Sequence, residues 1–269
     1  MMRNRLLQAG IAAFLLILIS SRSYSQAGIT ASPTRLYYKP GNKQEQKVIV
    51  SNPNKDKSLE IGVALNDWAY DSLGNNLSFE AGTLPVSCAS SVKVLPGSYF
   101  TLAPGETKEL SVSVAGVSTD KNIPVRTAML YLTQLNPGDA TAQNGAAIKV
   151  TVRMGIKIYY TDDANAKANM EITNFTTVKE GDKISALKLF ADNVGSIWLN
   201  GTIHYDLLNK ETGKKYQIAP LEFYSLPGDK RIFENALPKD MDKGKYTATA
   251  IVNFGTNEEL KIAELDFNY

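Results

Sequence analysis

Ala146-Ala147-Ile148-Lys149-Val150-Thr151-Val152-Arg153-Met154-Gly155-Ile156-Lys157-Ile158-Tyr159-Tyr160 puts an apolar side chain at every even position from 148 to 158. In an extended chain successive side chains point to opposite faces. The stretch therefore reads as one strand, 146–160, whose aliphatic face (Ile148, Val150, Val152, Met154, Ile156, Ile158) is backed by Lys149, Thr151, Arg153, Gly155 and Lys157. It is long against the usual strand of about five to six residues.

Outward from this strand the same grammar repeats. Upstream runs fall near 30–38, 46–51, 59–68, 92–95, 109–114 and 127–135, separated by Gly, Pro and Asn, and no long amphipathic helix competes with them. Seven strands at this spacing predict an all-β, immunoglobulin-like sandwich. Pro40-Gly41, Pro104-Gly105 and Pro137-Gly138 read as tight turns, a fixed φ followed by a residue that tolerates positive φ. Downstream, the polar stretch 162–168 reads as a linker. Runs near 172–178, 184–192, 201–208, 216–218, 221–224, 246–254 and 260–267 predict a second sandwich over 169–269.

Composition excludes much. The chain has 269 residues, 29 basic and 27 acidic, with a single Cys88 and a single His204. An intrachain disulfide and a Cys/His zinc site are impossible on stoichiometry. No Gly-x-Ser-x-Gly elbow and no His-paired nucleophile appears, so no catalytic residue, metal or cofactor is expected. Asp162-Asp163 reads as solvated linker carboxylates. Tyr37, Tyr38, Trp68, Tyr159 and Tyr160 read as core and cleft packing rather than a sugar platform.

Residues 1–25 carry Arg3 and Arg5, then an apolar run from Ala9 to Ile19, then small residues at Ser23 and Ser25, the order of a signal peptide cleaved near Gln26. The run is short for a membrane span, and no Cys follows it for lipid attachment, so a stable membrane anchor is not expected. Its removal takes Arg3, Arg5 and Arg22 and no acidic residue, leaving 26 basic against 27 acidic. A chain so near neutrality gives no ground for nucleic-acid binding. In an exported protein the lone thiol reads as a buried small hydrophobe.

Pro33-Thr34-Arg35-Leu36-Tyr37-Tyr38-Lys39-Pro40-Gly41 resembles the opening strand of the periplasmic pilus-assembly chaperones, the PapD-like family of the chaperone-usher pathway, and Gly155-Ile156-Lys157-Ile158-Tyr159-Tyr160 resembles the end of that family's last first-domain strand. Val94-Leu95-Pro96, Leu102-Ala103-Pro104-Gly105 and Arg126-Thr127-Ala128-Met129-Leu130-Tyr131 stand between them in the family's order. The resemblance covers 30–160 and extends to the second domain only as a sandwich in the expected place. It implies two immunoglobulin-like domains in tandem, 26–161 and 169–269, in an L-shaped or boomerang arrangement around a cleft, in the periplasm.

By motif position, Arg35 and Lys157 would anchor the C-terminal carboxylate of a pilin or surface-fibre subunit in that cleft. Ile148, Val150 and Val152 would be lent to the subunit's incomplete sandwich by donor-strand complementation, with an outer-membrane usher as a further partner. The bland alternatives are solvated cations on a half-exposed strand and an aliphatic face that serves only the chain's own core. Two family positions differ: Thr161 and Thr127 stand where an Arg and an acidic residue usually join the domains, which puts that charged latch in doubt. A non-catalytic envelope adaptor or scaffold that binds a surface protein or polysaccharide is the competing reading.

Overall fold

Period-two alternation governs nearly every element of the computed structural model, which describes residues 28–118, 120, 122–141, 145–255 and 259–269. The expected leader, 1–25, lies outside the described residues. The first sandwich contains β1 (Thr30–Ser32), β2 (Arg35–Tyr38), β3 (Glu45–Ser51), β4 (Leu59–Tyr70), β5 (Asn76–Phe79), β6 (Val92–Leu95), β7 (Tyr99–Leu102), β8 (Thr107–Val114), β9 (Arg126–Gln134), β10 (Gly138–Thr141), β11 (Ala147–Val150) and β12 (Arg153–Tyr160). One sheet runs β1-β3-β8-β6 and the facing sheet β2-β12-β9-β4-β5, with β7 also on β4.

Val48, Val50, Leu110, Val112 and Val114 from the first sheet meet Leu36, Ile61, Leu130, Leu132, Ile156 and Ile158 from the second in one buried core. Tyr38 spans that core and donates its hydroxyl proton to the Val112 carbonyl at 2.7 Å. Such satisfaction is required of a buried hydroxyl.

The second sandwich contains β13 (Met170–Glu180), β14 (Lys183–Asn193), β15 (Leu199–Asn209), β16 (Lys215–Ser225), β17 (Lys230–Ala236), β18 (Lys245–Phe254) and β19 (Glu259–Asn268). Its sheets run β13-β14-β17 and β16-β15-β18-β19. Leu187, Leu189, Ile203, Leu207, Phe223, Phe233, Ala250 and Val252 fill the space between them. The fold is thus all-β, two immunoglobulin-like sandwiches in tandem.

Several expectations need correction. The stretch 30–38 is two strands in two different sheets, because Pro33 has no N–H with which to continue the β1–β3 ladder. The stretch 146–160 is likewise two strands. The β9 ladder reaches only Thr133 opposite Arg153, and one further bond, Gln134 N–H to the Val152 carbonyl at 2.9 Å, closes it. Residues 147–150 therefore leave β9 and pair with 138–141 in a separate hairpin.

Pro137-Gly138 is accordingly not a tight turn, since Gly138 opens β10. The other two Pro-Gly pairs are turns: Asn42 N–H donates to the Lys39 carbonyl with Gly41 at φ 83°, and Glu106 N–H donates to the Ala103 carbonyl with Gly105 at φ 71°. In the second sandwich, 216–218 and 221–224 form one edge strand. Its Ala219-Pro220 falls at a bulge between Ile203 and Tyr205 of β15, where a missing N–H is tolerated. Strand β17 was not anticipated, since Lys230-Arg231-Ile232-Phe233-Glu234-Asn235-Ala236 shows hardly any alternation.

A third buried cluster belongs to both sandwiches. Trp68, Val125, Met129 and Tyr159 from the first pack with Ile197, Trp198 and Leu226 from the second. Tyr37 stacks on Tyr159 (4.9 Å between centroids) and on Trp198 (5.2 Å), whose rings also meet each other at 5.5 Å. Backbone bonding adds a tether, Ile232 N–H to the Ser72 carbonyl at 2.8 Å. Thr127 and Thr161 are both buried, and among the described residues no ion pair joins the sandwiches. Aromatic stacking and this tether take the place of a charged latch.

Candidate functional site

Strand β12 lies parallel to β2 with Lys157 opposite Arg35. The two cations, far apart in the chain, are therefore register neighbours on the face of the sheet that looks toward the second sandwich. The opposite face of β12 carries Ile156 and Ile158 into the first core, so period-two geometry dictates where Lys157 must point.

Lys157 is not a solvated surface lysine. It is 7% exposed, and its ammonium donates to the Tyr70 hydroxyl at 2.8 Å. The Nζ sits 4.2 Å from the Tyr70 ring centroid and 4.5 Å from that of Trp68. Burial, then the nearby Arg35 and Arg231 charges, depress its pKa to about 7, since desolvation and like charge both favour the neutral amine. Tyr70 and Tyr159 hydroxyls are 3.3 Å apart, and burial raises the pKa of both.

Arg35 stacks its guanidinium 3.7 Å above the ring of Tyr224, a residue of the second sandwich. Its Nε is buried and has no hydrogen-bond partner. An orphaned guanidinium N–H is costly to bury, and it marks a place where an acceptor fits.

Sequence reasoning missed Arg231, Tyr70 and Tyr224. Arg231, on β17 and 5% exposed, donates through Nη1 to the Tyr224 carbonyl and through Nε to the Ser72 carbonyl at 3.4 Å. Its guanidinium lies 5.2 Å from the Tyr70 ring, and burial lowers its pKa. No carboxylate among the described residues forms an ion pair with Arg35, Lys157 or Arg231. Three cations thus converge on an aromatic-walled site; Asp229 and Asp71 lie near enough to act on Arg231, but among the described residues no carboxylate acts on Arg35 or Lys157. Such a site favours an incoming anion, whose charge-assisted bonds contribute roughly 1.5–3 kcal/mol each.

The donor-strand candidates lie just beyond. Ile148 and Val150 are 42% and 40% exposed on the β10–β11 hairpin. Val152 is half-buried against the first core, and its Cγ2 comes within 3.4 Å of where a Cβ on Gly28 would stand. Between the hairpin and the cations, residues 153–156 of β12 pair with β9 on one side, while β2 occupies the other side only from 157 to 160. Among the described residues, the edge from Arg153 to Ile156 is open on that side.

The remaining lysines and arginines near the motifs have other surroundings. Lys39 Nζ lies 5.1 Å from the Trp198 ring and the Arg153 guanidinium stacks 3.6 Å from that of Tyr131. Cys88 is a buried free thiol, with its pKa pushed up to about 12 by burial. Among the described residues no group of His, Cys, Asp or Glu is placed to hold a metal ion, and no helix is long and apolar enough to cross a membrane.

No protein-family model and no curated protein matches the sequence. Solved structures do resemble the chain. The crystal structure of the YadV chaperone matches with a TM-score of 0.48 at 13% identity, covering 89% of this chain and 99% of that one. The class 5 fimbriae chaperone CfaA matches at 0.48 and 11%, covering 90% and 98%. The CsuC-CsuE chaperone–tip subunit pre-assembly complex of Csu pili from Acinetobacter baumannii matches at 0.48 and 13%, covering 88% and 98%. At such identities and scores the likeness assigns no activity to this chain.

Proposed function

We propose that the protein is an exported chaperone for pilus or surface-fibre subunits, which holds a subunit's C-terminal carboxylate at Arg35 and Lys157 and lends it a strand. One observation carries this reading: an unpaired cation pair stands at the end of an open strand edge that leads directly to exposed aliphatic residues. A guest strand laid along β12 with its terminal carboxylate at Lys157 would run past Ile156–Arg153 toward Val150. The distance, seven residues, is about 23 Å at roughly 3.3 Å per residue. Backbone pairing along an open edge supplies affinity, while side chains at alternate positions supply selectivity.

The residues divide the work. Arg35, with its unpartnered Nε, and Lys157 receive the carboxylate. Ile148 and Val150 present the apolar side chains, and Val152 is where that face turns into the chaperone's own core. Burying each exposed aliphatic side chain in a guest groove is worth up to roughly 1.5–3 kcal/mol before ordering costs.

The test is recovery of a fibre subunit that lacks its final strand, co-expressed in the periplasm with this chain. A soluble one-to-one complex is expected. The double variant Arg35→Met, Lys157→Met should lose it while keeping its own fold by circular dichroism. Undiminished recovery with that folded variant would remove the carboxylate anchor and leave an envelope adaptor as the better reading.

A further inference from the structure

We propose that Arg231 is the third cation of this site, a positioning residue that acts on Lys157 beside the Tyr70 ring so that a guest anion and a proton bind together. The proposal rests on the reading of Arg35 and Lys157 as an anion site and adds the second sandwich to it.

The geometry is specific. Lys157 and Arg231 come from different sandwiches, and both are set against one ring, that of Tyr70, at 4.2 Å and 5.2 Å from its centroid. Arg231 cannot withdraw. Its guanidinium is bonded to the carbonyls of Tyr224 and Ser72, and it packs on Gly74, where an added Cβ would overlap Nη2. Arg35 sits opposite Lys157 in the ladder and stacks on Tyr224, whose carbonyl Arg231 also engages. The second sandwich therefore places a fixed positive charge beside an amine that the first sandwich has already desolvated.

The titratable groups facing Lys157 are Arg35 on β2, Tyr70 on β4, Tyr159 on β12 and Arg231 on β17. The nearest acidic charges, Asp71 and Asp229, act on Arg231. In the empty site the amine, with its pKa lowered to about 7, is thus about half deprotonated at pH 7. A carboxylate placed among the three cations offsets their repulsion, and Lys157 then takes up one proton from solvent to become the ammonium. Guest affinity should therefore fall as pH rises above the amine's midpoint, by up to about tenfold per unit, until the deprotonated site's own affinity is reached.

The experiment follows Lys157 itself in the full mature chain, with 13C-labelled lysine and acetate as the anion probe, its Cε resonance being assigned by its loss in Lys157→Met. The free protein should titrate near 7, and saturating acetate should move the midpoint upward. Arg231→Gln should raise the free midpoint by about half a unit or more, whereas Arg231→Lys, which keeps the charge, should hold it near the parent value. Arg231→Met, a second neutral replacement that keeps an unbranched apolar stem, should raise it likewise and serves if Arg231→Gln does not fold. An ordinary lysine midpoint in the free protein overturns the proposal. So does an unmoved midpoint in the folded Arg231→Gln protein, or in Arg231→Met where Arg231→Gln does not fold. An acetate response without any Arg231 dependence removes Arg231's role and keeps the anion site. Arg231 dependence without an acetate response removes the anion site.

Discussion

Replacement of Lys157 by Met should change the pH dependence of stability in a calculable way. An unfolded lysine titrates near about 10.4, while burial, Arg35 and Arg231 bring folded Lys157 to about 7. Between these values the unfolded chain holds a proton that the native chain does not, so stability rises with pH across the window at up to about 1.4 kcal/mol per unit. The full penalty below the folded midpoint is about 4–5 kcal/mol relative to an unperturbed lysine. From about pH 6.5 to 8.5 the wild-type chain should gain about 2 kcal/mol from this group alone. Lys157→Met removes the group and retains similar volume. Groups whose titration is unaltered by the substitution cancel when variant and parent are compared. Urea denaturation at the two pH values, read by the fluorescence of Trp68 and Trp198, both in the shared cluster, gives the comparison. The variant's advantage over the parent should shrink by about 2 kcal/mol on going to the higher pH. Parallel pH profiles would show that Lys157 keeps its proton in the native state, and the argument from desolvation and like charge would be wrong.

Three further outcomes follow from other parts of the molecule. Gly201→Ala would drive a Cβ into the Asn253 carbonyl oxygen and to 2.7 Å from the Phe223 ring; the β15–β18 ladder must open to admit it, and a loss of about 2–3 kcal/mol in denaturation of the second sandwich is expected. Tyr38→Phe deletes the 2.7 Å bond that joins the two sheets of the first sandwich; calorimetry should show a loss of about 1 kcal/mol, a few degrees in midpoint. Val150→Asp alters an exposed hairpin position, so stability should stay within about 0.5 kcal/mol. Subunit capture should nevertheless drop more than with Thr151→Asp, and equal drops would point to general disruption of the strand.

The strands that could be read from residues alone are those with a buried face and a solvated one. Leu110, Val112 and Val114 alternate with polar neighbours, and the structure buries that same set. What escaped was set by pairing partners. Nothing local to Ala146–Tyr160 announces that β9 runs out opposite Arg153, yet that event splits the strand and frees the hairpin. Strand β17 escaped because its buried face carries a charge: Arg231 and Phe233 lie on the same face, the guanidinium 5.6 Å from the Phe233 ring centroid, and the segment looks polar. The Pro137-Gly138 pair misled because the same dipeptide that makes a turn at 40–41 starts an extended hairpin strand at 137–138.

By itself the sequence determined the all-β class, the two successive sets of strands and the pairing of two cationic motifs as candidates, because side-chain alternation and turn chemistry are local properties of the chain. Only the tertiary structure decided that Lys157 is buried against Tyr70 and Trp68, that Arg231 joins it from the second sandwich, and that the edge at 153–156 is left open. Desolvation, like-charge proximity and an unfilled ladder position arise from what packs beside a residue, and these neighbours lie tens of residues away along the chain.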